Sequence, residues 1–244
     1  MARNQGDALV KPALILVGVG PGDPELLTLK AVRVLGAADV VAFPQKSGEQ
    51  SMALGIARGH LGPDAILLPA QIPMTVERGP AQLAYDALAS EIRQHLGANR
   101  SVAYLCEGDP LFYGSAMYLI DRLSDDAEVS VVPGVTSLTA SAASIVRPLA
   151  ARNETLKILP APLPDDRLRA ELAATDAAAI IKVGRHFNRV RAILGETGHL
   201  DGAVVVEHAT TPAQRITRLA AFAHDERPYF STILCYRGSE AWGE

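Results

Sequence analysis

Residues 14–24 read Leu-Ile-Leu-Val-Gly-Val-Gly-Pro-Gly-Asp-Pro: a short apolar run, a glycine-rich turn, then Asp-Pro. A short run that is continuously apolar predicts a strand buried on both faces, here residues 13–19. Glycine lets a ligand approach the backbone, Asp suits a helix N-cap, and Pro suits the first helical position. The stretch therefore predicts a strand, a ligand-accepting turn, and a helix over residues 25–35 that ends at Gly36.

The same pattern returns at residues 102–110, Val-Ala-Tyr-Leu-Cys-Glu-Gly-Asp-Pro, before a helical pattern over 111–123. A third turn, Pro-Gly-Val-Thr-Ser at 133–137, follows a strand predicted at 129–132 and precedes a helix at 138–145. Strand and helix patterns alternate, which predicts βαβ units, a mostly parallel sheet and right-handed crossovers. Three such turns predict a ligand site built from loops at one sheet edge.

The alternation pauses near residues 148–154 and then resumes. We expect an N-terminal α/β domain over 1–149 and a C-terminal α/β domain over 150–244, with a ligand cleft between them. Residues 45–79 contain several Gly and Pro and are expected to be loop-rich around a short helix. The remaining predicted strands are 40–43, 101–106, 155–159, 177–183, 203–207 and 230–236, and the remaining helices are 51–58, 82–96, 166–174 and 187–194.

Composition excludes several classes of function. The formal net charge of −4 argues against a nucleic-acid surface and an anionic membrane. Cys106 and Cys235 lie in apolar runs, and the histidines form no i, i+4 pair, so neither a disulfide framework nor a metal site is indicated. The first residues lack a hydrophobic signal region and no apolar run approaches ~20 residues, which predicts a cytoplasmic protein.

The first turn departs from the dinucleotide-binding pattern. Its glycines, Gly18, Gly20 and Gly22, are spaced G-x-G-x-G rather than G-x-G-x-x-G. The second predicted strand ends in Phe43 and Pro44, with no acid for a ribose. A nicotinamide-dependent oxidoreductase is therefore the less favoured alternative.

Four ordered segments resemble the tetrapyrrole methylases, the two-domain S-adenosylmethionine-dependent enzymes of cobalamin and sirohaem synthesis. They are residues 17–31 (VGVGPGDPELLTLKA), 107–115 (EGDPLFYGS), 132–137 (VPGVTS) and 207–215 (EHATTPAQR). Residues 105–119, 155–163 and 181–186 are similar to the subgroup that methylates C-20 of precorrin-2, with the cobalt-precorrin-2 subgroup as its near neighbour. The resemblance implies the methylase fold, a cleft for cofactor and substrate, and a homodimer.

The resemblance also implies which residues hold the S-adenosylmethionine, largely through backbone groups. The implied contacts are Pro21, Glu107, Gly108, Asp109, Phe112, Thr136, Ser137, Val183 and Ala209. Several have a purely structural alternative. Asp109, Thr136 and Ser137 could simply cap helices, and Glu107 could contribute only its backbone. Asp23, which is not among these contacts, is better suited to a helix N-cap than to catalysis.

The implied reaction transfers a methyl group to C-20 of precorrin-2, giving precorrin-3A and S-adenosylhomocysteine. Tyr113 and Glu107 are the candidate bases. The position where the related uroporphyrinogen methylase has an Asp, taken as a catalytic base, is Pro44 here. Because the substrate carries several carboxylates, cationic groups are expected around it, with solvated surface charge as the alternative. The candidates are Arg147, Arg152, Lys182, Arg185 and His186. A non-catalytic tetrapyrrole-binding protein is a further alternative.

Overall fold

The computed structural model describes residues 12–46, 48–73, 78–222 and 230–237. The chain forms two compact units, residues 1–136 and 137–244, and each contains one five-stranded sheet with helices. The predicted fold class, two α/β domains, is confirmed. The domain boundary expected between residues 149 and 150 stays a prediction.

The sheet of the first unit is entirely parallel, in the order β3-β2-β4-β1-β5. Its strands are β1 (Leu14–Gly18), β2 (Val40–Gln45), β3 (Ile66–Gln71), β4 (Val102–Cys106) and β5 (Val129–Val132). Its helices are α1 (Leu29–Ala37), α2 (Met52–Ala57), α3 (Arg78–Gly97) and α4 (Met117–Leu123).

Strand β1 lies between β4 and β5 and is buried along its whole length, as its apolar run predicts. Its side chains alternate between two cores. Ile15 and Val17 pack in one cluster with α1 and α2, whereas Leu14 and Leu16 pack in another with α3 and α4. Both faces of the parallel sheet are therefore covered.

The two helices expected directly after Asp-Pro begin later than predicted. Asp23 caps only a short 3-10 turn over Pro24–Leu26, and α1 begins at Leu29 with Thr28 as its N-cap. Gly36 lies inside α1 rather than after it. The second correction is larger, because α4 begins at Met117 instead of residue 111.

Two strand predictions in the first unit were also wrong. Strand β3 lies in the stretch expected to be loop-rich, because Pro63 before it and Pro69 within it are unfavourable signals for a strand. Strand β2 continues through Pro44 instead of ending at Phe43. It pairs with β4 only as far as Ala42, so Pro44 has a strand on one side alone and its missing N–H is tolerated.

The sheet of the second unit has the order β6-β7-β10-β8-β9. Its strands are β6 (Leu156–Pro160), β7 (Ala177–Ile181), β8 (Val204–Glu207), β9 (Arg215–Arg218) and β10 (Ser231–Tyr236). Its helices are α5 (Ser137–Ser144), α6 (Asp165–Ala173) and α7 (Phe187–Glu196). Among the described strands of this sheet only β6 and β7 pair in parallel, so a mostly parallel sheet was the wrong expectation for this unit.

Two features explain the antiparallel pairing. The short link between β8 and β9 permits an antiparallel neighbour but is too short for a crossover. Strand β10 comes last in the chain and inserts between β7 and β8, antiparallel to both. Strand β9 was not predicted, because its Arg-Ile-Thr-Arg sequence lies at an exposed edge and lacks an apolar run.

Candidate functional site

Three loops of the first unit meet at one edge of its sheet. They follow β1, β4 and β5, which are adjacent and parallel, so their carboxyl ends share that edge. This is the edge at which open α/β sheets bind ligands. The structure places there the predicted residues Pro21, Glu107, Gly108, Asp109, Phe112, Tyr113 and Thr136.

Glycines allow the three loops to touch backbone to backbone. A Cβ atom built on Gly18 would lie 2.6 Å from the Gly134 nitrogen and 2.7 Å from the Gly108 oxygen. A Cβ atom on Gly134 would lie 2.1 Å from the Gly108 oxygen. No side chain fits at Gly18 or Gly134 without moving a backbone, so we call Gly18, Gly108 and Gly134 the glycine cradle.

Hydrogen bonds join the first two loops directly. Gly108 N–H donates to the Gly20 oxygen at 2.8 Å, and Gly20 N–H donates to the Gly108 oxygen at 3.2 Å. Both residues have positive φ, 81° for Gly20 and 67° for Gly108, a conformation that favours glycine. The two turns recognised in the sequence therefore form one structure.

Asp109 connects the second loop to the third. Its Oδ2 accepts a hydrogen bond from the Gly134 N–H at 3.0 Å, and its Oδ1 accepts one from the Leu111 N–H at 2.9 Å. The helix-capping alternative for Asp109 is wrong, because α4 starts at Met117. Both oxygens of this half-buried carboxylate instead bind backbone amides of two site loops.

Tyr113 explains why the helix starts late. Its φ is 55°, in the left-handed region that an α-helix cannot contain. Its ring is 46% exposed and meets Phe112 edge to face, with 5.2 Å between the ring centroids. The two rings belong to the loop between β4 and α4, four and five residues after Gly108 of the glycine cradle.

Glu107, the other candidate base, is the first residue after β4. Its side chain retains contact with solvent, yet the protein atoms packed around the carboxyl raise its pKa through desolvation. A carboxylate with a raised pKa is a stronger base than an ordinary Glu, so the direction suits proton abstraction.

Tyr85 was missed by the sequence analysis. It lies in α3, whose sequence pattern predicted an amphipathic helix and nothing more, and its ring is almost fully buried. Its hydroxyl donates to Ser115 Oγ at 2.6 Å, at the end of the loop that Asp109 begins. No sequence signal identifies it, because the two residues are far apart along the chain.

The second unit brings another group of predicted residues together at one edge of its own sheet. Strands β7 and β8 flank β10 and are both antiparallel to it, so their carboxyl ends lie on the same side. The loops that follow them contain Lys182, Val183, Arg185 and His186, and then Ala209. Val183 and Ala209 are buried, whereas Lys182 and Arg185 are exposed.

These loops contain non-glycine residues in the left-handed region. The φ values are 57° for Lys182, 47° for His208 and 67° for Thr210. Such residues persist only where the surrounding structure enforces them, and they concentrate at functional sites. The strain therefore supports a functional reading of this edge.

His186 sits beside two guanidinium groups. Arg185 Nε donates to His186 Nε2 at 3.5 Å. Desolvation first, and then the charges of Arg189 and Arg185, lower the pKa of His186. At neutral pH the ring is therefore uncharged, and the cations of this loop are Lys182 and Arg185.

The expected basic group does not assemble in one place within the second unit. Arg147 stacks on Tyr236, with its guanidinium carbon 3.6 Å from the ring centroid. Tyr236 pairs with Ala177, the first residue of β7, so Arg147 lies at the edge opposite Lys182. Arg152 precedes β6, which starts at that same opposite edge.

Ser137, the remaining predicted cofactor contact, is the exposed first residue of α5.

None of the helices in the described residues is long and apolar enough to cross a bilayer. That same part of the chain contains no group of three or more His, Cys, Asp or Glu side chains arranged to hold a metal ion.

Comparison with known proteins identifies relatives along nearly the whole chain. The family model for Tetrapyrrole (Corrin/Porphyrin) Methylases matches residues 13–222. A precorrin-2 C(20)-methyltransferase from Sinorhizobium sp is 43% identical over 229 residues, covering 91% of this chain and 94% of the relative. A cobalt-precorrin-2 C(20)-methyltransferase from Salmonella typhimurium is 30% identical over 224 residues, covering 91% of this chain and 94% of the relative.

A solved structure agrees in fold. The uroporphyrin-III C-methyltransferase from Thermus thermophilus, complexed with S-adenosylhomocysteine, superimposes with a TM-score of 0.67 at 28% identity. The match covers 92% of this chain and 97% of that one.

Proposed function

We propose that this chain, which belongs to the tetrapyrrole methylase family, transfers a methyl group from S-adenosylmethionine to C-20 of precorrin-2. The relative with that activity in its name is 43% identical over most of both chains. The product of such a transfer is precorrin-3A, in the synthesis of cobalamin.

The glycine cradle is the observation that supports the cofactor best. It brings three backbone segments together at the carboxyl edge of the parallel sheet without side chains between them. Such a surface offers peptide groups to a ligand at close range. The residues present therefore fit S-adenosylmethionine, which when bound supplies an electrophilic methyl group on a sulfonium.

We propose that the loops after β1, β4 and β5 hold the cofactor mainly through backbone groups. The residues concerned are Pro21, Glu107, Gly108, Phe112 and Thr136, with Ser137 following. Val183 and Ala209, whose side chains are buried, would contribute backbone groups from the second unit. Asp109 would act at least through the amides that it binds, those of Gly134 and Leu111.

Alignment of the two reacting carbons with the sulfur would supply most of the acceleration. The proton that leaves C-20 needs an acceptor, and Glu107 is favoured on its raised pKa. Tyr113 is the alternative, since its ring is exposed on the same loop. Water exclusion by Phe112 and Tyr113 would protect the reacting methyl group.

The carboxylates of the substrate would bind the exposed cations Lys182 and Arg185, with His186 as an uncharged hydrogen-bonding neighbour. Arg147 and Arg152 lie at the other edge of that sheet and would have to bind different carboxylates. A homodimer and a cytoplasmic location are further parts of the proposal, and both come from the family resemblance and the sequence.

The second candidate is methylation of cobalt-precorrin-2, favoured by the 30% identity to the Salmonella typhimurium relative. Anaerobic incubation with methyl-labelled S-adenosylmethionine and each precorrin, with products analysed by mass, separates the two. We expect one methyl group to be added at C-20 of the metal-free substrate. Transfer only to the cobalt form would support the second candidate, and transfer to neither would refute C-20 methylation.

A further inference from the structure

The aromatic loop, residues 109–115, is held by a side-chain hydrogen bond at each end. At its start, Asp109 Oδ2 accepts from the Gly134 N–H at 3.0 Å. At its end, Ser115 Oγ accepts from the Tyr85 hydroxyl at 2.6 Å. The two partners belong to different elements, the loop after β5 and helix α3, so the loop is fixed against two independent parts of the first unit.

The first anchor uses both oxygens of Asp109. While Oδ2 binds the Gly134 amide, Oδ1 binds the Leu111 amide two residues ahead at 2.9 Å. Hydrogen bonds between backbone amides and a carboxylate are stronger than those to neutral acceptors. Asp109 therefore fixes the start of the aromatic loop and its distance from the glycine cradle together.

The second anchor comes from the core. The ring of Tyr85 is 1% exposed and packs against Tyr118 of α4, with 5.1 Å between centroids. A buried tyrosine hydroxyl requires a partner, and here that partner is the residue that ends the loop. Burial also raises the pKa of Tyr85, so its hydroxyl remains a donor across the neutral range.

Between the anchors the backbone is strained. Tyr113 has a φ of 55°, a left-handed conformation that is unfavourable for a non-glycine residue and persists only where its surroundings enforce it. Phe112 packs edge to face against it, and Leu111 and Tyr113 are exposed. The two anchors hold the loop on either side of this residue.

We infer that Asp109 and Tyr85 are positioning residues, which hold the aromatic loop in the conformation that methyl transfer requires. Asp109 acts through the Gly134 and Leu111 amides on the cofactor side of the loop. Tyr85 acts through Ser115 on the side that carries Tyr113. The inference rests on the proposed function, since it assigns the loop to that site.

The test compares Asp109→Asn and Tyr85→Phe with the control Tyr118→Phe, which removes a hydroxyl from the other ring of the same aromatic pair. Asn has one acceptor oxygen and places an NH₂ group against one of the two amides, so the Kd for S-adenosylhomocysteine should rise about tenfold. Tyr85→Phe should lower kcat about tenfold and leave KM for S-adenosylmethionine within about twofold. Tyr118→Phe should leave both constants within about twofold.

Binding is measured by calorimetry, kcat and KM by anaerobic methyl transfer, and the unfolding temperature without ligands. A purely structural role predicts lower unfolding temperatures with unchanged Kd and kcat, and that result would overturn the inference. Equal kcat values for Tyr85→Phe and Tyr118→Phe would overturn it for Tyr85. If the unmodified chain binds no S-adenosylhomocysteine, the proposed function fails as well, so the two failures are distinguishable.

Discussion

The two units hold their carboxyl-edge loops in different ways. In the first unit, Gly18, Gly108 and Gly134 let three backbones touch, and the positive φ values where the first two loops join fall on Gly20 and Gly108. In the second unit, Lys182, His208 and Thr210 occupy the left-handed region themselves. The backbone conformation of the glycine cradle therefore follows from its glycines. The backbone conformation at the edge of the second unit has to be enforced by the residues packed around it.

The amino edges of the two sheets are alike. In the first unit, Asp39 precedes β2 and accepts hydrogen bonds from the backbone and hydroxyl of Ser101, which precedes β4. In the second, Asp176 precedes β7 and accepts the same two bonds from Thr155, which precedes β6. Each carboxylate joins two neighbouring parallel strands at their starts, so the two units share this contact although their loop-bearing edges differ.

Gly134→Ala should have the largest effect. Its new Cβ would lie 2.1 Å from a backbone oxygen, so the cradle must open. We expect a loss of about 3 kcal/mol from the free energy of unfolding, measured in urea. Gly55→Ala is the matched control, since a Cβ there meets no atom within 4 Å in the interior of α2, and it should be neutral or stabilising.

The two buried cysteines show whether that damage stays in the first unit. Burial raises the pKa of both Cys106 and Cys235 to about 12, so each thiol reacts only when its surroundings open. Gly134→Ala should accelerate labelling of Cys106 by a thiol reagent and leave Cys235 unchanged. An equal acceleration at both would contradict a local effect.

Substitutions at Thr210 should have the next largest effect. A β-branched residue at a φ of 67° is strained, and Ala retains the Cβ that causes much of it. Thr210→Gly should therefore be more stable than Thr210→Ala by about 1 kcal/mol, measured in urea. If Ala were as stable as Gly, the second edge would not be strained and the contrast between the edges would fail.

Asp39→Asn should have the smallest effect. The Ser101 backbone N–H first, and then its hydroxyl, lower the pKa of Asp39 below its ordinary 3.8. The hydrogen-bonded carboxylate of Asp39 therefore stabilises the fold above pH 3.8. This stabilisation is lost as the pH falls through the pKa of Asp39 in the folded state. The exposed position limits the loss at pH 7 to under about 1 kcal/mol.

Urea titrations at several pH values measure this pH dependence of the stabilisation by Asp39. The difference in the free energy of unfolding between Asp39→Asn and the unmodified chain should shrink below pH 4. Asp176→Asn should change in the same direction, because the Thr155 backbone and hydroxyl lower the pKa of Asp176 in the same way. A difference that grew at low pH would contradict the shared role.

The features of the fold that were predicted correctly depend on short local sequence patterns. The apolar run at β1 predicted a strand buried on both faces, and the glycine turns predicted loops gathered at one sheet edge, because burial and left-handed turns require particular residue types. The late start of α4 was hidden, because Phe112 and Tyr113 suit a helix as well as a loop. The parallel expectation failed for the second sheet, because nothing local indicates that β10 inserts between β7 and β8.

The same limit applies to the site. Arg147 and Lys182 were grouped by charge, and only the pairing of Tyr236 with Ala177 shows that they lie at opposite edges of the second sheet. Tyr85 was missed because its partner Ser115 is brought to it by packing of α3 against α4. Contacts between residues distant in the chain have no counterpart in a local pattern.

Hydrogen exchange with and without S-adenosylhomocysteine, with NADH as the comparison ligand, tests where the methyl donor binds. We expect S-adenosylhomocysteine to slow exchange in peptides that contain residues 19–23, 107–116 and 133–136, and NADH to leave their exchange unchanged. Protection absent from all three segments, or equal protection by NADH, would contradict the claim that the glycine cradle of the first unit is the methyl-donor site.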